Sequence, residues 1–139
     1  MTQDDAASTP RTETTASLVV LNSSVTSDDI VKCIGQAPSA MWKKGDRVQR
    51  SVITRKSDGW KIDSTLLRDR PLSEHINEIL DRVYPNLCFL KQDGVSRILL
   101  SAAIYIYSFD RPPLAIDAEA IGKLAELGAG LDIDLYNFP

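Results

Sequence analysis

Ser96-Arg-Ile-Leu-Leu-Ser-Ala-Ala-Ile-Tyr-Ile-Tyr107 is the most strand-like stretch of this chain, and its reading sets the architecture. Ile98, Leu100, Ala102, Ile104 and Ile106 alternate onto one face, while Leu99, Ser101, Ala103, Tyr105 and Tyr107 take the other. Two largely apolar or aromatic faces predict a central strand, covered on one side and partly on the other. Other strands are read around it. Ser17-Leu-Val-Val-Leu-Asn22 is the first, and Leu131-Asp-Ile-Asp-Leu-Tyr136 closes the chain with its three aliphatics inward and Asp132, Asp134 and Tyr136 outward. Val48–Arg55 and Trp60–Ser64 are expected to form a hairpin about the turn Lys56-Ser-Asp-Gly59, with Trp60 and Ile62 facing the core. Leu114-Ala-Ile116 reads as a brief additional strand.

Three helices fall between these runs. Thr26-Ser-Asp-Asp29 is a capping box, Ile30, Cys33 and Ile34 follow at helical spacing, and Gly35 supplies the stop. From Pro71, Leu72, Ile76, Ile79, Leu80 and Val83 form an apolar stripe; Pro85 ends that helix or opens another, with Leu87 and Leu90 continuing the apolar side. Asp117 caps the third helix, with Ile116 and Ile121 as a staple, Ile121, Leu124 and Leu127 inward, and Gly128 at its end. The order is β-α-β-β-α-β followed by (β)-α-β. It predicts an α+β fold, a single antiparallel sheet with helices packed on one face and a ferredoxin-like core extended at the C-terminus.

The 139 residues suit one domain, placed at 17–139. Residues 1–16 carry no large apolar side chain after Met1 and are read as a disordered polar tail, without the basic start and apolar run of a signal peptide. The longest apolar-leaning stretch, Ile98–Tyr107, is too short to span a bilayer, so a cytoplasmic protein with no membrane partner is expected. Cys33 and Cys88 are too few for a disulfide framework and read as buried thiols.

Charge is segregated. Lys43 to Arg70 holds nine cations against four acids, +5, which leaves −8 for the remainder of a chain whose net charge is −3. Both tryptophans lie at or inside this strip. In Trp42-Lys-Lys-Gly-Asp46 two readings stay open: a recognition loop anchored by an indole, or a plug over the sheet edge with solubilising lysines. Trp60 is expected in the core. The segment 43–70 offers phosphate-tracking cations, but an acidic pI near 5.1 argues against nucleic acid.

Asp132 and Asp134 project from one strand face about 7 Å apart, and either guard a solvated edge or contribute to a cation or acid–base site. His75, the single histidine, reads as exposed on the polar side of its helix. A small metal-dependent or hydrolytic enzyme would have to gather Asp132, Asp134 and His75 within about 8 Å. No nucleophile elbow, phosphate loop, Cys-x-x-Cys or His-Glu-x-x-His motif occurs.

Several strings together resemble a bacterial family of uncharacterised proteins, the domain of unknown function 4279. They are the Thr26–Ile30 helix start, Ile34-Gly35 with Pro38, Trp42-Lys-Lys-Gly-Asp46, Gly59-Trp-Lys-Ile-Asp-Ser64, Leu72-Ser-Glu-His-Ile76, Leu124-Ala-Glu-Leu-Gly-Ala129 and Leu131–Tyr136. The resemblance implies a small stand-alone cytoplasmic bacterial protein and brings no catalytic residue, metal or cofactor. The polar tail departs from the family pattern. The expectation is a non-enzymatic module that binds another protein, in an antidote-like role, through Trp42, Lys43, Lys44, Asp46, Arg47, Asp132, Asp134 and Tyr136.

Overall fold

A computed structural model describes residues 11–22, 25–86 and 97–139. Its strands are β1 (Glu13–Leu21), β2 (Ala40–Trp42), β3 (Gly59–Asp63), β4 (Arg97–Tyr107) and β5 (Ala129–Phe138). Its helices are α1 (Ser27–Ile34), α2 (Leu72–Val83) and α3 (Ala118–Leu127), with a 3-10 turn at Tyr84–Asn86. The sheet order is β2-β3-β1-β4-β5, an α+β arrangement around one mixed sheet.

The long alternating strand lies inside the sheet, with β1 antiparallel on one side and β5 on the other. β5 runs parallel to β4, which corrects the expectation of a purely antiparallel sheet. The cause is the connection: α3 carries the chain back across the sheet, and a crossover of that kind returns the next strand in the same direction. Residues 114–116 form no strand.

Three further differences have local causes. β1 begins at Glu13, so the expected tail boundary at residue 16 is too late; Glu13–Ala16 pair in register with Ala102–Tyr105. Their polar composition hid the alternation of Thr14 and Ala16 inward with Glu13 and Thr15 outward. Residues 1–10, the rest of the expected tail, lie outside the described residues, as do Leu87, Cys88 and Leu90. The expected hairpin of 48–55 with 60–64 does not form: β3 pairs with Ala40–Trp42 instead, and residues 43–58 make a loop closed by a single Arg47–Thr54 bridge. Val52 and Ile53 are adjacent, so no alternation could bury both.

The helix caps follow the sequence closely. Thr26 Oγ1 accepts the Asp29 N–H and the Asp29 carboxylate accepts the Thr26 N–H, while Gly35 and Gly128 end α1 and α3 in the left-handed region. All three helices contribute to one core with the inward face of the sheet: Leu18, Val20, Trp60, Ile62, Leu100 and Ile104 meet Ile30, Ile76, Ile79, Leu80, Leu124 and Leu127. In α3 the inner face is Ala120, Leu124 and Leu127, and Ile121 is exposed, so it forms no staple. Cys33 is half-buried rather than fully enclosed.

Among the described residues the opposite sheet face carries no helix. Register places Asp63, Ser17, Ser101 and Asp132 in one row across four strands. Thr15, Ala103 and Asp134 form the next row. Beyond them Tyr105 stacks on Tyr136 and Tyr107 on Phe138, at centroid distances of 5.2 and 5.0 Å.

Candidate functional site

Strand order separates the expected binding residues into two groups. Trp42–Arg47 belongs to the β2 edge and Asp132, Asp134 and Tyr136 to the β5 edge. Four strand spacings of about 4.8 Å put them roughly 19 Å apart. They form two surfaces.

At the first edge Trp42 is 9% exposed and lies flat against Gly59, where an added methyl would meet its ring at 2.6 Å. The Arg55 guanidinium covers the indole from above, 4.2 Å from the ring centre. This is the geometry of the plug. Lys43, Lys44, Asp46 and Arg47 remain at the surface. The Asp46 carboxylate accepts the Lys43 N–H, and that of Asp58 accepts the Lys44 N–H. Both acids of the loop are therefore turned onto its own backbone. None of its six cations (Lys43, Lys44, Arg47, Arg50, Arg55, Lys56) forms an ion pair among the described residues. At the tip Val52 is 90% exposed and Ile53 65%. Sequence reasoning missed this tip because it assigned the residues to a strand; the paired aliphatics set among cations were the available signal.

At the second edge β5 has β4 as its sole strand neighbour among the described residues. Its burial pattern shows eight exposed positions out of ten. Leu131 and Leu135 point to the helix side, as expected, yet are 41% and 49% exposed. The helices stop short of covering them.

His75 corrects the reading of an exposed histidine: it is 1% exposed, on the inward side of α2. Its Nδ1 lies 2.7 Å from Ser64 Oγ. Both groups are served when the hydroxyl donates to Nδ1 and accepts the Leu66 N–H at 3.2 Å. Burial pushes the imidazole below the ordinary histidine range, against the pull of the nearby Arg70 and Leu67 carbonyls and of Glu78 and Glu74. Those carbonyls close no well-formed bond on Nε2. A cavity of about 350 Å³ adjoins the pair, lined also by Thr14, Ser17, Lys61, Asp63 and Arg68.

A hydroxyl beside a neutral imidazole is one half of an activated nucleophile. The other half, a group orienting the base, is committed elsewhere: Glu74 pairs with Arg70, and Glu78 with Arg82 and the Thr65 N–H. The contact fastens the 64–66 turn over α2. Asp132 stands three strand spacings from Asp63, roughly 14 Å, and on the uncovered face, whereas His75 lies under the covered one. Asp132, Asp134 and His75 share no site. Among the described residues no three His, Cys, Asp or Glu side chains are placed to hold a metal ion, and no helix is long and apolar enough to cross a membrane.

A mixed sheet shielded by helices on one face, with two chemically opposite edges, defines an α+β protein whose distinctive chemistry lies on its surface. The chain belongs to the family described as a domain of unknown function (DUF4279), whose profile matches residues 12–138. No curated protein and no solved structure matches it.

Proposed function

We propose that this protein is a non-catalytic, protein-binding module of the bacterial cytoplasm, antidote-like in that it occupies its partner's surface. It docks by taking an extended segment of the partner onto the edge of β5 that no described strand pairs with. The observation that carries this reading is a ten-residue edge strand with eight exposed positions. Such an edge offers an unpaired row of backbone donors and acceptors, the template used in strand addition. The partner's segment would alternate aliphatic residues, covering Leu131 and Leu135, with cations opposite Asp132 and Asp134. A second copy is disfavoured, because it would set carboxylates directly opposite carboxylates. The order β2-β3-β1-β4 supports reading the first six elements as a ferredoxin-like core that β5 extends.

The test is site-specific photo-crosslinking in cells. A benzophenone side chain replacing Leu135 should capture a protein that the same group at Val31, exposed on α1, does not. Asp132→Lys/Asp134→Lys should abolish the product. Equal capture from both positions, or indifference to charge reversal, refutes the proposal.

A further inference from the structure

The loop at the other edge supports a separate inference. We propose that residues 43–58 dock the protein on an anionic phospholipid surface, with Val52 and Ile53 entering the interface and the surrounding cations meeting the headgroups. Six cations and two acids give this segment +4, leaving −7 for the rest of the chain. The acids accept the loop's own N–H groups, and five of the cations, Lys43, Lys44, Arg47, Arg50 and Lys56, are exposed, whereas Arg55 lies over Trp42.

The tip is held in shape. Val48 donates to the Ile53 carbonyl, Gly45 to that of Arg55 and Arg55 to that of Asp46, while Ser51 Oγ caps the turn by accepting the Ile53 N–H. The base is clamped by Arg55 over Trp42. Little ordering entropy would therefore be lost on docking. Two adjacent aliphatics standing this far out of the surface fit a yielding apolar medium, whereas an acidic protein would need a preformed socket for both. A peripheral contact of this kind combines apolar insertion with attraction to anionic lipid and requires no spanning helix. It leaves β5, at the opposite edge, free to act.

The full chain would be sedimented with vesicles of equimolar phosphatidylcholine and phosphatidylglycerol, and with phosphatidylcholine alone. We expect association with the anionic vesicles only, lost near 1 M salt, where the screening length is roughly 3 Å. Val52→Ser/Ile53→Ser should weaken partitioning roughly 100-fold, at about tenfold per buried aliphatic. Arg47→Gln/Arg50→Gln should weaken it roughly 25-fold, at about fivefold per cation. These exposed positions can be changed without touching the core, so circular dichroism should be unaltered. Failure to bind anionic vesicles, equal binding to neutral ones, or a tip variant equal to wild type would each overturn the inference. Tip-dependent binding to immobilised poly-glutamate with none to vesicles would assign the loop to an acidic polypeptide instead.

Discussion

Replacing Gly59 by alanine isolates the contact on which the β2 edge depends. Gly59 carries a strand conformation open to any residue, so the backbone raises no objection to a side chain there. The obstacle is Trp42: the new methyl would lie 2.6 Å from the Cζ2 atom and 2.7 Å from Cε2 and Nε1 of its ring. Ordinary carbon contacts begin about 1 Å further out. The indole must slide or swing away from the sheet. Overpacking of this kind costs about 1–3 kcal/mol. The ceiling is complete loss of the packed ring, about 3–5 kcal/mol, the range for tryptophan truncation in a core. Urea unfolding of Gly59→Ala should thus show an unfolding free energy lowered by about 1–3 kcal/mol, read as a lower midpoint at unchanged slope. In a Trp60→Phe background, emission from Trp42 should shift to the red. The decisive measurement is the double-mutant cycle with Trp42→Ala. Once the indole is gone the three atoms nearest the methyl are gone with it, and Gly59→Ala should be neutral or slightly stabilising because alanine restricts the unfolded chain. Equal costs in both backgrounds would refute the packing argument.

Burial keeps His75 neutral in the folded state, while the unfolded chain takes up a proton near pH 6.5. Its contribution is therefore complete above that pH and is lost as pH falls below it, and His75→Gln should flatten this part of the stability–pH profile measured by urea denaturation. The Asp29 carboxyl, held low by the Thr26 N–H and hydroxyl, and that of Asp110, held low by the Thr12 hydroxyl, change only in the more acidic carboxylate range, so the two windows separate. Arg82 joins α2 to the β3 end through Glu78, the Gln36 side chain and the Asp63 carbonyl, and Arg82→Ala should cost about 2–3 kcal/mol of unfolding free energy. Thr26→Ala removes one half of the capping box and should cost about 1 kcal/mol, with faster amide exchange confined to α1. Phe109 sits at φ 59 with its ring exposed, so Phe109→Gly should raise the melting temperature, a gain of roughly 0.5–1 kcal/mol.

The elements most legible in the sequence were those written by strict period or by caps. Ile98 to Ile106, the Thr26 capping box and the Gly35 and Gly128 stops each carry their own local signal. What failed depended on distant partners. Glu13–Ala16 became strand because an eleven-residue β4 offered it hydrogen bonds, a fact absent from its own composition. Ala40–Trp42 became strand because Gly59 leaves room for an indole, and neither residue announces the other. The surfaces divided in the same way. Segregated charge was visible along the chain, but only strand order shows that basic and acidic residues occupy opposite edges. His75 read as polar because its neighbours Glu74 and Asn77 are; the serine that accommodates it arrives from the β3 end.

Asp132 and Asp134 admit two roles, and the chemistry of edge protection separates them. A strand edge is guarded against self-pairing by charge of either sign, and lysine serves as well as aspartate. If guarding were their whole purpose, Asp132→Lys/Asp134→Lys would leave the protein monomeric and its partner bound. Recognition makes a different demand, because the sign of the charge selects the cations of the incoming strand. Under the β5 proposal the reversed variant stays monomeric by sedimentation, since lysines also repel lysines across a twofold axis, yet loses the crosslink from position 135. Asp132→Asn/Asp134→Asn removes the guard as well and should let copies associate through β5. A reversed variant that keeps its partner would reduce the two aspartates to guards.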